Sequence, residues 1–363
     1  MAHAKLSPSA SATWLTCPGS VHLPADPGSD RSSDYAADGT AMHAVAELCL
    51  TKNLSPEQYV GQVVEGRTIK PEFVPIITTY VEFVRSLPGM KRFEVKVTLE
   101  EIISECFGTA DCVAMREGHL SVIDLKTGAG VKVDAEENTQ LLCYALGAFL
   151  KFDALYDFES ITLTIVQPPL NNISTWTITR ERMLDFASEL IEARKRIDNE
   201  PEVYVLSEKG CRWCKGKSSC PAQQMLANEA AAIDFRDTQI DLTKYLDMVD
   251  HLRSFADAVE NAAKETILQG GTVPGWKVVE GRRTRAWKDE IETERYLKGL
   301  GYDQIYSQPK LLTVAQMEKA LKKEAINLEQ LVELKAGNPT LAKDTDARSS
   351  LNKFDQAAKD FAN

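Results

Sequence analysis

Hydrophobic and polar residues in the first 228 positions follow two periods, and each period predicts a different kind of element. Apolar residues at helical spacing predict helices within 34–50, 71–87, 139–152 and 182–198. Alternation of apolar and polar residues predicts strands at 92–99, 161–167 and 173–180, and a hairpin at 108–128. We therefore predict a mixed α/β domain over residues 1–228, in which a small sheet is flanked by helices.

Beyond residue 228 the composition shifts towards helix-forming residues, which predicts a mainly helical accessory region over 229–363. Helices are expected at 241–269, 289–299, 313–323 and 327–335. Two strand-like pieces at 275–281 and 283–288 predict a short β-hairpin within this region.

The hairpin at 108–128, with the sequence GTADCVAMREGHLSVIDLKTG, is expected to bring two carboxylates face to face. With Glu117 and Gly118 at the tip, Asp111 lies opposite Asp124, at a Cβ separation of roughly 4.5–5.5 Å. Alternation places Lys126 on the same face as Asp124. Two facing carboxylates repel each other, and burial increases the cost.

A divalent cation would turn this repulsion into coordination. Oxygen ligands that are few and partly exposed suit Mg²⁺ or Mn²⁺. A lysine beside them fits metal-assisted hydrolysis of a phosphodiester, since it can neutralise the phosphate or orient water. The alternative is that Asp124 and Lys126 are ordinary surface residues near the end of a strand.

Four further residues supply candidate chemistry around these carboxylates. His43 follows Gly39 by four residues on the first predicted helix and could provide a nitrogen ligand, although a lone histidine in such a helix is more often structural. Gln140 and Tyr144 are spaced i, i+4, so both project from one helix face. Glu94 lies on the strand before the hairpin.

The order of these residues resembles the RecB-like branch of the PD-(D/E)XK nuclease superfamily, whose core is restriction-endonuclease-like. The chain has the motifs GTAMH, GTAD, DLK and QLLCY in the family order. Their last residues are His43, Asp111, Lys126 and Tyr144, respectively. The resemblance implies that His43, Asp111, Asp124 and the backbone carbonyl of Leu125 bind metal. It also implies a catalytic Lys126, with Gln140 and Tyr144 contacting DNA or supporting the site, and Glu94 as a secondary acidic candidate.

Cysteines form a second constellation. CRWCKGKSSC contains Cys211, Cys214 and Cys220 in the spacing C-x2-C-x5-C, and Cys17 in WLTCPGS is the candidate fourth sulfur. Four thiolates fit Zn²⁺ or a [4Fe–4S] cluster. An x5 gap is uncommon in zinc ribbons, and unrelated reduced cysteines are a further alternative.

This cysteine pattern resembles the iron staple of AddB-type nucleases and of the CRISPR-adaptation exonucleases. The resemblance implies a structural [4Fe–4S] cluster held by Cys17, Cys211, Cys214 and Cys220, which joins the two ends of the nuclease domain. The remaining cysteines, Cys49, Cys106, Cys112 and Cys143, are expected to be small core residues.

A net charge of −11 over 363 residues argues against a protein that coats nucleic acid electrostatically, but local basic patches remain compatible with it. Candidate DNA contacts are Lys215, Lys217, Arg282, Arg283 and Arg285. The last three lie near Trp287, and arginine together with an aromatic residue could bind DNA. The equal alternative is that these arginines are charged residues on a solvent-exposed hairpin, where they discourage aggregation. Apolar runs too short for a membrane span and an N-terminus without a signal peptide predict a cytoplasmic protein without a membrane partner.

The chain as a whole resembles an uncharacterised phage family with this nuclease core and a helical extension. That resemblance implies DNA replication or recombination in the host cytoplasm, beside a single-strand-binding or recombination protein. The leading hypothesis is a Mg²⁺- or Mn²⁺-dependent deoxyribonuclease, expected to be an exonuclease. The alternatives are a catalytically silent DNA-binding scaffold of the same fold and a zinc-stapled structural protein.

Overall fold

The computed structural model describes residues 4–29, 34–232, 242–302, 304–307, 310–311, 314, 317, 329–343 and 348–351. The chain divides into two compact units, Met1–Ala258 and Val259–Asn363. The division falls within a long helix, beyond the boundary predicted at residue 228. Among the described residues, the apolar stretch of each helix is too short or too charged to cross a membrane.

The first unit contains a five-stranded sheet and the helices that cover it. The sheet consists of β3 Met90–Thr98, β4 Phe107–Arg116, β5 His119–Leu125, β6 Ser160–Gln167 and β7 Asn172–Thr179. Two shorter strands, β1 Val63–Val64 and β2 Arg67–Thr68, pair with each other. The helices of this unit are α1 Ser11–Thr16, α2 Asp34–Lys52, α3 Val74–Ser86, α4 Thr139–Tyr156, α5 Arg180–Asn199, α6 Glu208–Arg212, α7 Pro221–Ala231 and α8 Leu242–Leu268, which continues past the division. The predicted sheet flanked by helices is confirmed.

The sheet order is β3-β4-β5-β6-β7, and only the β5–β6 pair is parallel. A parallel pair needs a crossover connection, and α4 provides it. Asn138 caps this helix by accepting a hydrogen bond from the N–H of Leu141 at 3.2 Å. Because α4 begins near the carboxyl end of β5, the first turns of the helix lie close to Asp124 and Lys126.

Apolar residues cover both faces of the sheet and form two core clusters. On β5, Leu120 and Val122 belong to the cluster that includes α4 and α5, whereas Ile123 and Leu125 belong to the cluster that includes α2 and α3. The strand is therefore buried on both faces, as expected for the centre of an α/β sheet. Cys49, Cys106, Cys112 and Cys143 are fully buried in these clusters, which confirms them as core residues.

Helix α2 includes Asp34, where the predicted range 34–50 begins. Gly39 lies inside it and is needed for a close approach, since a Cβ at this position would stand 2.9 Å from Oγ1 of Thr127. The glycine therefore brings α2 against the loop that follows β5.

The second unit contains a long antiparallel pair of strands where the sequence predicted a short hairpin. Its elements are β8 Trp276–Trp287, α9 Glu290–Gly299, β9 Tyr306–Ser307, β10 Lys310–Leu311 and β11 Val332–Lys343. The two strand-like pieces form one continuous strand, β8, which pairs with β11. The prediction of a turn near Gly281 was wrong because Gly281 instead lies opposite Gly337, where the two backbones approach closely.

The prediction of a helix at 327–335 was also wrong, because β11 begins at Val332 after one 3₁₀ turn. Pairing with a distant strand overrides the local helix preference of this segment. The helices predicted at 241–269 and 289–299 are confirmed as α8 and α9. Most of the helix predicted at 313–323 lies outside the described residues.

Candidate functional site

The residues of the predicted metal site line one open cleft of about 470 Å³ where β5 ends. Helix α2, strands β3 to β5 and helix α4 each contribute to it. The lining includes all of the predicted catalytic and metal-binding residues, which are His43, Glu94, Asp111, Asp124, Leu125, Lys126, Gln140 and Tyr144.

The hairpin register brings the two aspartates to the same end of the ladder. Pairing runs from Arg116 and His119 at the tip to Cys112 and Ile123, and Asp111 and Asp124 are the next residues of the two strands. Oδ2 of Asp111 accepts a hydrogen bond from the backbone N–H of Leu125 at 2.8 Å. This bond fixes the Asp111 carboxylate against the neighbouring strand.

His43, Glu94 and Asp111 form a cluster that could hold a cation. Nδ1 of His43 lies 3.3 Å from Oδ1 of Asp111. One ligand atom from each of the three side chains lies within 4.8 Å of the others. An imidazole and two carboxylates from three separate elements thus surround one point.

Asp124, Lys126, Gln140 and Tyr144 form a bonded network beside this cluster. Nζ of Lys126 lies 2.9 Å from Oδ2 of Asp124 and donates to Oε1 of Gln140 at 2.9 Å. Nε2 of Gln140 donates to Oδ1 of Asp124 at 3.4 Å and to Oη of Tyr144 at 3.1 Å. Gln140 therefore holds the lysine and the carboxylate in a fixed relation.

Crowded negative charge shifts the pKa values in the cleft. Burial alone would lower the pKa of His43, but the charges of Asp111, Asp124 and Glu94 together raise it to about 9. Burial, followed by the charge of Asp111, raises the pKa of Glu94 to about 7. Burial also raises the pKa of Asp124, and Lys126 opposes this shift. Negative charge is thus disfavoured where the carboxylates stand, and a divalent cation would relieve that condition. The donor set fits Mg²⁺ or Mn²⁺.

Glu94 has an unusual backbone conformation for a residue within a strand. Its φ is +45°, in the left-handed region that non-glycine residues rarely adopt. The side chains of β3 change faces at this residue: Phe93 packs on the cluster that includes α2, whereas Val95 and Val97 belong to the other cluster. Strain of this kind concentrates at functional sites, and here it coincides with a candidate ligand.

The four predicted cysteine ligands also come together. Cys17, Cys211, Cys214 and Cys220 line one enclosed cavity, although almost two hundred residues separate the first from the rest. The N–H of Val205 donates to Sγ of Cys17 at 3.4 Å, and the N–H of Ser207 donates to Sγ of Cys211 at 3.4 Å. Burial is the main cause that raises the pKa of Cys211 and of Cys214.

The chemistry of the donors bears on what the cavity could hold. Its lining supplies four thiols, and neither a carboxylate nor an imidazole is among the lining side chains. Such a donor set fits a tetrahedral zinc ion or a [4Fe–4S] cluster.

The candidate DNA contacts occupy different surroundings. Lys217 lines the cysteine cavity, and its Nζ donates to the carbonyl of Arg212 and to Oγ of Ser254, so its first contacts are structural. Lys215 is exposed beside it. Arg282, Arg283 and Arg285 lie exposed on β8 in the second unit, and Arg283 pairs with Glu280 of the same strand.

Sequence reasoning missed three residues at these sites. Glu47 and Tyr80 line a small cavity with His43, Glu94 and Asp111. Glu47 follows His43 at i, i+4, a spacing that could have identified it. Gln223 is buried in the cysteine cavity three residues after Cys220, and Tyr80 lies in an apolar helix, so sequence alone gave little sign of either.

Comparison with known proteins places the chain in a family. A solved structure titled "Crystal structure of SSO0001" is similar over 60% of this chain and 85% of that one, with 16% identity and a TM-score of 0.29, a similarity too small to bear on activity. The family described as "Protein of unknown function (DUF2800)" matches residues 3–349. Because this match spans nearly the whole chain, the protein belongs to the DUF2800 family.

Proposed function

We propose that this protein is a metal-dependent DNA nuclease that acts as an exonuclease. The observation that carries the proposal is the cleft in which His43, Glu94 and Asp111 surround one point, beside Asp124 and its ion-paired lysine. Metal-assisted phosphodiester hydrolysis needs this combination of groups. DNA as the substrate rests on the resemblance of the four motifs to RecB-like nucleases.

His43, Asp111 and Asp124, together with the Leu125 carbonyl, would hold the cation, and Glu94 is an additional ligand candidate. A bound Mg²⁺ or Mn²⁺ would neutralise charge on the phosphate and lower the pKa of water. The hydrogen bond from the Leu125 N–H to Asp111 keeps that carboxylate from rotating away. The ligands are thus preorganised by backbone and side-chain contacts.

Lys126 would act on the phosphate. As an ammonium paired with Asp124 it donates hydrogen bonds and accepts none, so it would donate to a non-bridging phosphate oxygen as negative charge develops there. Gln140 holds the ammonium in place through Oε1. Water would then attack phosphorus and lose a proton to solvent, and the bond to the leaving ester oxygen would break as that oxygen takes up a proton from water.

The cysteine cavity would hold a [4Fe–4S] cluster with a structural role. The four thiols that line one cavity and the N–H donors directed at Cys17 and Cys211 support it. The cluster would join residue 17 to residues 211–220 and so close the nuclease unit. Iron, acid-labile sulfide and zinc contents of anaerobically purified protein, together with its visible absorption, test this assignment.

The nuclease activity is tested with end-labelled linear, nicked and circular DNA in the presence of Mg²⁺ or Mn²⁺. Asp124→Ala and Lys126→Ala should each lower the cleavage rate by about 100-fold or more, because each removes a group that acts on the reacting phosphate. DNA binding, followed by fluorescence anisotropy, should be largely retained. Degradation of linear DNA with circular DNA spared would support exonuclease action.

Lys132→Ala is the matched control, since Lys132 is exposed, pairs with Asp134 at 2.9 Å and does not line the cleft. It should cleave like the wild type. Unchanged cleavage by Asp124→Ala would contradict the assignment of the cleft. Binding of DNA without cleavage by the wild type would favour the scaffold alternative.

A further inference from the structure

Gln223 is a buried polar side chain of the cysteine cavity. It is the third residue of α7, its exposed fraction is 1%, and it lines the cavity together with all four cysteines. Neither Oε1 nor Nε2 of its amide has a partner among the described residues. A buried polar atom left in this state is destabilising, so an apolar residue would suit a cavity that holds no ligand better.

A second buried glutamine in the same unit shows what is usual here. Gln167 is also 1% exposed, but its Oε1 accepts from the N–H of Val133 at 3.0 Å. Its Nε2 donates to the carbonyls of Gly128 and Val131 at 2.8 and 2.7 Å. Both amide atoms of Gln167 thus have partners, whereas neither amide atom of Gln223 has one among the described residues.

The cysteine sulfurs are unequally supplied with donors. Backbone N–H groups of Val205, Ser207 and Gly216 donate to Cys17, Cys211 and Cys214 respectively. The described residues give Sγ of Cys220 no such donor. Cys220 is the N-cap of α7, and a glutamine three residues into a helix can reach back to its N-cap residue. The unpaired amide and the sulfur without a donor thus line the same cavity at the start of the same helix.

We propose that Gln223 is a positioning residue of the cysteine site, whose Nε2 donates an N–H···S hydrogen bond to Sγ of Cys220 or to the inorganic sulfide next to it. The inference rests on the [4Fe–4S] cluster of the proposed function. The bond reduces the negative charge on the sulfur, which stabilises the reduced form of the cluster and protects the iron–sulfur bonds. A glutamine serves where a glutamate would not, because a carboxylate would add charge beside four thiolates.

The test compares Gln223→Leu and Gln223→Met with the wild type in the full chain, purified anaerobically. Both variants keep the approximate volume of the side chain and remove its hydrogen bonds. Gln224→Leu is the matched control, since Gln224 is the next residue of the same helix and is exposed. The measurements are iron and sulfide per chain, the Fe–S stretching bands in resonance Raman spectra, the reduction potential, and the rate of bleaching by a chelator.

Both Gln223 variants should retain iron and sulfide but bleach about 10- to 100-fold faster than the wild type, as expected when a hydrogen bond to a metal ligand is lost. Their Fe–S bands should shift and their reduction potentials should fall, whereas Gln224→Leu should behave as the wild type does. Gln223→Glu should lower the potential further. These spectroscopic changes would not follow if Gln223 only filled space.

Suppose that the wild type holds a cluster and that the Gln223 variants have unchanged Fe–S bands and bleaching rates. This result would overturn the role of Gln223 and leave the cluster assignment intact. Wild-type protein without iron and sulfide would overturn both the cluster and this inference. The two failures are therefore distinguishable.

Discussion

The carboxylate cleft and the cysteine cavity differ in whether their polar side chains have partners. In the cleft, Asp124, Lys126 and Gln140 bond to one another in an open space of about 470 Å³. In the cysteine cavity, which is enclosed, Gln223 has no partner among the described residues. A site whose groups pair with each other keeps its geometry while a cation or substrate exchanges. The unpaired amide of Gln223 would gain a partner if the proposed cluster occupies its cavity.

Loss of a cysteine ligand should have the largest effect. Cys214→Ala should abolish the visible absorption and lower the free energy of unfolding by about 5 kcal/mol, the loop-closure value for a cross-link over almost two hundred residues. Cys49→Ala, in the apolar core, is the control and should cost about 1 kcal/mol with the cluster intact. Denaturant titrations measure both. A colourless Cys214→Ala variant of wild-type stability would mean that the cavity is not a staple.

Breaking the bonded network of the cleft should have the next largest effect. Gln140→Ala should lower the cleavage rate by about 10- to 100-fold with the protein still folded, because it frees both Lys126 and Asp124. Tyr144→Phe removes only the acceptor of one Gln140 hydrogen bond and should cost less. Single-turnover cleavage rates check this order. Equal losses in the two variants would show that Tyr144 acts on DNA directly.

Glu94 should make the metal-free protein less stable. Its pKa is raised from 4.5 to about 7 in the folded chain, so the fold binds a proton that the unfolded chain has released. In chelator, Glu94→Gln should leave stability unchanged below pH 4.5, raise it progressively up to about pH 7, and keep that gain above pH 7. Because the carboxyl is partly exposed, solvent screening limits the gain to about 1 kcal/mol.

Thermal unfolding at several pH values measures the effect of Glu94. With Mg²⁺ or Mn²⁺ added, the wild type should be stabilised more than the variant, since the cation uses the carboxylate. A pH-independent difference between the two proteins in chelator would contradict the charge interpretation.

Tyr80 should have the smallest effect. Its hydroxyl is buried without a partner among the described residues, but unlike Gln223 the side chain belongs to an apolar core cluster. Tyr80→Phe should therefore stabilise the metal-free protein by about 1 kcal/mol and leave cleavage within about twofold of the wild type. A loss of metal binding in this variant would give Tyr80 a role like that proposed for Gln223.

The sequence contained enough local information to predict the cleft but not its surroundings. The turn at Glu117 and Gly118 sets the register that opposes Asp111 and Asp124, and alternation then fixes the face of Lys126. The left-handed conformation of Glu94 follows from packing on both faces of the sheet and has no local signal. The unpaired amide of Gln223 likewise depends on residues that are distant in sequence.

The second unit shows the limit of local patterns more clearly. Gly281 is a good turn residue, and the segment at 327–335 is rich in helix-forming residues, so a hairpin and a helix were the reasonable predictions. The observed pair joins strands that are separated by more than forty residues. Contacts at that separation decide the outcome, and single-sequence periodicity does not contain them.

The contacts around residues 17 and 211–220 also determine how the first unit responds to mechanical force. Thr13 donates to the carbonyl of Gly210 at 2.8 Å, and Ser218 donates through both its N–H and its hydroxyl to Asp26. A pull applied to the two ends of this unit reaches these bonds before it reaches the five-stranded sheet. Tension between the two ends would therefore load these bonds first, while the carboxylates of the cleft keep their places in the sheet.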